Sequence, residues 1–186
     1  MNFISKNLIK TRYFNLVLIV ISLALSIYKL TTNYKNSFDY IYRPILVISL
    51  TSALIYALYG YKKKSAIYYK GFMFLYFVSL ILSAYNEVLH LDNPSVNWTM
   101  ISTYANFARV IPVFLLTFIP NFGEKRSKIC SYILFGLCLF IFVRTCIVHG
   151  VFIGYTISAL AQLTMSAVAV VLVNEKYVDK TSRGAK

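Results

Sequence analysis

Apolar residues in this chain come in long unbroken runs, separated by short polar or basic stretches. A membrane-spanning helix needs about 20 mostly apolar residues, with a range of about 17–25. Six segments qualify: residues 13–30, 43–60, 71–91, 98–119, 129–148 and 151–174. The second opens with Pro44, which suits a first helical turn because the N–H it lacks is unpaired there anyway. The fourth stops at Pro120. From Thr145 to Asn174 there is no Asp, Glu, Lys or Arg, a stretch too long for one span once the fifth helix is counted. A tight turn is therefore expected near His149 and Gly150. Barrel strands alternate apolar and polar residues with period two, and these runs do not.

Composition removes the alternatives. Of 186 residues, 59% are hydrophobic and 13% charged, and the mean hydropathy is +0.66. Soluble domains are about 45–50% apolar and about 25% charged, so six buried helices would lack the polar surface to cover them. With 7 Gly and 3 Cys, collagen-like and disulfide-scaffold classes also fail. The fold class expected is all-α: a polytopic integral membrane protein of six transmembrane helices with both termini inside. Residues 1–174 form the transmembrane domain and residues 175–186 a short basic cytoplasmic tail, too short to fold alone. The first span follows Lys6, Lys10 and Arg12 as in a signal peptide, and Ala24-Leu25-Ser26 has small-x-small character. Its apolar run exceeds the usual about 7–15 residues of a cleaved signal, so it is read as retained.

Charge sets the orientation, because basic flanks resist translocation. Fourteen of the 19 Lys and Arg fall in the N-terminal segment, around Lys62–Lys70, around Lys125–Lys128 and in the tail. The opposite side has three, Lys29, Lys35 and Arg43, assigned to the first loop; Arg109 and Arg144 lie within spans. The net charge of +13 thus needs no nucleic acid. Anionic lipids at the cytoplasmic face attract each nearby basic residue by about 1 kcal/mol. Tyr56, Tyr59, Tyr61, Tyr68 and Tyr69 at one boundary, and Tyr34, Tyr40, Tyr42 and Trp98 at the other, fit interfacial belts. The expected location is the plasma (cytoplasmic) membrane, multi-pass.

Within the spans, ionisable residues are the informative ones, since burying a charge is costly unless it is paired or hydrated. Glu87, Arg109 and Arg144 stand out, with His90 and His149 beside them, all in the outer half by direction of travel. Polar residues recur at three- and four-residue steps: Thr99, Ser102, Asn106 and Arg109 on the fourth span; Ser79, Ser83, Asn86 and His90 on the third; Ser158, Gln162 and Ser166 on the sixth; Ser49, Ser52, Tyr56 and Tyr59 on the second. Lipid offers no hydrogen bonds, so these faces are expected to turn inward. Pro112 follows Arg109 by three residues and removes a backbone hydrogen bond there.

One carboxylate facing two guanidiniums leaves a surplus positive charge, which suits an anionic or zwitterionic ligand. The reading is a non-enzymatic membrane protein that binds a small ligand from outside for uptake or sensing. Arg109, Arg144, Glu87, His90 and Asn106 are its candidate ligand-binding residues, and a membrane partner is expected. No catalytic residue, metal or cofactor is assigned. The bland counterpart is that the stripes are packing glue and Glu87 a structural ion-pair partner. A second reading is an interaction, regulatory or immunity protein without ligand chemistry. A third is an intramembrane cysteine enzyme using Cys146 and His149, near Arg144. Cys130, Cys138 and Cys146 form no CxxC, and no P-loop, HExxH or GxSxG occurs.

Overall fold

A computed structural model describes residues 3–31, 39–60, 66–88, 103–119, 122–149 and 154–183, and side chains over 13–31, 40–58, 70–85, 103–119, 122–148 and 156–174. The described chain is helical, with no strand among the described residues. Helix α1 spans Phe3–Thr31. Helix α2 spans Asp39–Ile55 and ends in a π turn, Tyr56–Gly60. Helix α3 is Ala66–Val88. Helix α4 covers Thr103–Phe118, its regular part being Val110–Phe118. Helix α5 is Glu124–His149 and α6 is Gly154–Arg183.

Local chemistry sets several of these boundaries. Ile119 leaves the helix for extended backbone (φ −96°, ψ 104°), the conformation imposed on a residue that precedes proline. Gly123 takes φ +82°, and its carbonyl then accepts the Ser127 N–H at 3.0 Å in the first turn of α5. α5 stops at His149 and α6 starts at Gly154, bracketing the turn expected near Gly150.

Each helix packs against the next, and α6 returns to α1, so the six close into a ring. α6 also touches α2 and α3, which makes it the hub. In its apolar segment Thr156–Asn174, 72% of residues are buried, against 28% in Tyr13–Thr31 and 28% in Glu124–Val148. The small residues Ala159, Ala161, Ser166 and Ala169 are all buried and allow backbones to approach closely. Around them lie Ile19, Leu50, Tyr76, Leu80 and Met165. Outward, large side chains such as Tyr13, Ile111 and Ile147 stay exposed, as a lipid-facing surface requires.

Among the described residues, four helices are long and apolar enough to cross a membrane: Tyr13–Thr31, Tyr40–Leu58, Glu124–Val148 and Thr156–Asn174. Two further apolar helices, Lys70–Tyr85 and Thr103–Phe118, are shorter over their described residues. The chain is thus an all-helical protein built for a membrane.

Three expectations are corrected. Lys29 and Arg43 are helix residues, 9% and 5% exposed, rather than loop residues. The Lys29 ammonium and the Arg43 guanidinium find partners inside the bundle, which offsets the desolvation that normally puts such residues at a boundary. Pro44 lies inside α2, which begins earlier at Asp39; so near the start, proline costs only one backbone bond. Residues 175–183 continue α6 as helix, because Glu175, Lys176, Val178 and Lys180 contain no breaker. Lys35 lies outside the described residues.

Candidate functional site

Cross-helix partners run in opposite directions, Ser22 and Lys29 of α1 against Thr164 and Ser158 of α6, and Phe77 and Ser83 of α3 against Phe114 and Arg109 of α4, so the last turns of α1 and α3 lie beside the first turns of α6 and α4. The buried cations gather toward that end. Arg109 sits where α4 is interrupted by a turn residue, three residues before Pro112, which has no N–H to give to Ala108. Its own N–H still bonds the Ala105 carbonyl at 3.2 Å. The side chain is 2% exposed and the largest fully buried one among the described residues.

Arg109 reaches across to α3, where one of its guanidinium nitrogens donates to Ser83 Oγ at 2.9 Å. Its Nε is buried without a hydrogen-bond partner. No carboxylate pairs with it among the described residues; Glu124, at the start of α5, pairs with Lys128. One turn along α4, Asn106 is 1% exposed and its Oδ1 is also unpartnered.

The polar seam continues down α3. One turn from Ser83, Ser79 Oγ accepts a bond from Gln162 Nε2 of α6 at 2.8 Å. Gln162 is 1% exposed and its Oε1 has no partner. A further turn on, the Tyr76 hydroxyl donates to the Gln162 carbonyl at 3.2 Å and lies 3.4 Å from Cys138 Sγ. Ser83, Ser79 and Tyr76 thus form one face of α3, with Arg109 and Gln162 meeting it from two sides. Below Arg109, Phe77, Phe114 and Phe118 form an aromatic cluster with centroids 5.0–5.9 Å apart that clasps α3 to α4.

Of the residues singled out from sequence, Arg109 and Asn106 are therefore brought together. Arg144 is half-buried on α5 and its Nε is unpartnered; among the described residues no hydrogen bond or ion pair joins it to Arg109. Glu87 lies on α3 one turn beyond Ser83, but its side chain, like that of His149, is outside the described residues, and His90 lies wholly outside them. Cys130, Cys138 and Cys146 are all free thiols.

Other hydroxyls of the spans have a plainer role. Ser49, Thr51, Thr117, Thr145 and Thr164 each bond the carbonyl four residues back on their own helix, as hydroxyls in membrane helices commonly do. Ser49 also donates to the Leu75 carbonyl of α3 at 3.1 Å, tying two helices.

A second polar face was missed from sequence. Asn15, Ser22, Ser26 and Lys29 of α1 are all buried and recur at helical steps. Ser22 Oγ meets Thr164 Oγ1 at 2.7 Å, and Lys29 Nζ donates to Ser158 Oγ at 2.7 Å. Arg43 closes the corner by donating to the Lys29 carbonyl at 2.7 Å. The signal was present in the three- and four-residue spacing, but single serines in so apolar a run are easily passed over.

Among the described residues, no group of three or more His, Cys, Asp and Glu side chains could hold a metal ion. No protein-family model, curated protein or solved structure matches the chain.

Proposed function

We propose that this chain is a six-span protein of the plasma membrane, both termini cytoplasmic, that binds a small anionic or zwitterionic ligand from the outer side. It serves uptake or sensing together with a membrane partner. The span count is supported by α3, whose 23 residues correspond to ~34 Å of helix against a hydrocarbon core of ~30 Å. The orientation rests on the basic residues of the sequence.

The ligand reading rests on one observation: Arg109, 2% exposed, has Ser83 as its hydrogen-bond partner and an unpartnered Nε. A guanidinium kept inside an apolar bundle with so little compensation is expensive, and such residues mark ligand or ion pathways. Arginine also offers a planar fork suited to carboxylate or phosphate. The aromatic clasp holds α3 to α4 below the site, so separation of their other ends, at the interrupted turn, provides the way in.

The test is ligand binding by the purified protein in lipid nanodiscs, across a panel of carboxylates and phosphates. Binding by wild type and its loss in Arg109→Ala, with the fold retained, is the expected result. Equal affinity of both proteins for every anion that binds would refute it. The interaction-protein reading draws on the hydroxyls that merely bond their own helix; Arg109→Leu would then impair partner capture from membranes and leave anion binding unaffected.

A further inference from the structure

We infer that the ligand is a compact zwitterion: its negative group is taken by Arg109 and its positive, hydrogen-bond-donating group by the amide oxygen of Gln162. The inference rests on the Arg109 reading above and narrows it to a substrate class.

Unmet hydrogen-bonding groups in the seam carry the argument. Nearly all buried polar atoms are satisfied, so each exception needs an explanation. Three exceptions fall together: Arg109 Nε, Asn106 Oδ1 and Gln162 Oε1. The first is a cationic donor and the other two are neutral acceptors. All three side chains are at least 98% buried. An anion alone would satisfy the arginine and leave both amide oxygens without a donor, with like-signed partial charge turned toward it. A cation alone would meet the oxygens and be repelled by the guanidinium. A molecule with both charges meets the arginine and donates to an amide oxygen without that conflict.

The spacing fits a small molecule. Gln162 is fixed to Ser79 through its own amide nitrogen, which leaves Oε1 as the free atom. Arg109 is fixed to Ser83. Ser79 and Ser83 are four residues apart on α3, a rise of ~6 Å. Asn106 lies one turn to the other side of Arg109 on α4. The guanidinium is therefore flanked by acceptors about one helical turn away on each side, the scale of an amino acid whose carboxylate rests on Arg109 while its ammonium reaches an amide oxygen.

The probes are glycine, L-serine, L-leucine and L-glutamate, each paired with its N-acetyl derivative, which keeps the carboxylate and removes the positive charge. Binding to the full-length protein in nanodiscs is read by calorimetry and by thermal shift. At least one free amino acid should bind, with N-acetylation weakening it by ~10–100-fold, the range for a hydrogen bond to a charged group. Gln162→Met should lower affinity for the free amino acid to that of its N-acetyl form and leave the N-acetyl affinity unchanged. That unchanged affinity also shows that the variant has folded. Should Gln162→Met not fold, the wild-type comparison decides alone. N-acetyl derivatives binding as tightly as their parents, or a Gln162→Met loss shared equally by both, would overturn the zwitterion inference while Arg109-dependent anion binding stood. No binding by any carboxylate or phosphate would remove both.

Discussion

Arg109 contributes to this bundle in a way that ordinary core residues do not. A basic side chain at the centre of a membrane helix costs about 2.5–3.5 kcal/mol on insertion scales, and one bond to Ser83 offsets a part of that. Arg109→Met keeps most of the volume and removes the charge. The melting temperature should rise, at roughly 2–4 °C per kcal/mol regained for a chain of this size, while ligand binding disappears. A fall in melting temperature would mean that the arginine is structural. The Ser22–Thr164 contact makes the opposite kind of contribution. A double-mutant cycle of Ser22→Ala and Thr164→Val should show coupling of about 0.6 kcal/mol, the average for hydrogen bonds between membrane helices. Residues of both kinds were unequally legible in the sequence. Arg109 and Asn106 were read because a charge and an amide at helical spacing are conspicuous in an apolar run. Lys29 and Arg43 were misplaced because charges near the end of such a run usually mark its boundary, and nothing in one dimension shows that Ser158 waits across the bundle for Lys29.

Among elements, the apolar runs were readable almost directly, since hydropathy and length fix a buried helix whatever its neighbours. Their ends were less so: α2 begins before Pro44, and α6 continues through Arg183, where backbone bonding persists after the apolar pattern stops. The start of α5 shows how much one residue can decide. Gly123 is at φ +82° with open space around the position of a Cβ, so substitution there meets no clash, only backbone strain. Gly123→Ala should cost about 1 kcal/mol, the lower end of the left-handed penalty for a residue with a side chain. Gly123→Asn should cost less, because asparagine tolerates that conformation better. Thermal unfolding in detergent would check both; equal stability of the three proteins would contradict the assignment.

At the scale of the whole molecule, the proposed orientation predicts that reporter fusions at Lys63 and at the C-terminus both lie in the cytoplasm, and that one at Asn93 lies outside. Lys63 and the C-terminus on opposite sides would void the outward site. The order of helices around the ring was beyond the sequence, because hydropathy says that a segment is buried in lipid or protein and not which partner it meets. The many small residues of α6 were the available sign of its central place. That place has a consequence for biogenesis. α6 is the last of the six helices to leave the ribosome, yet α1, α2, α3 and α5 all contact it. Until it arrives, Ser22 of α1 and Ser79 of α3 are without Thr164 and Gln162, the partners they have in the finished bundle. The nascent protein must therefore wait as an open fan, held by the insertion machinery or exposed to membrane proteases. A chain ended at Val148 should be made at a normal rate in a pulse-chase experiment and be degraded faster than the full-length protein.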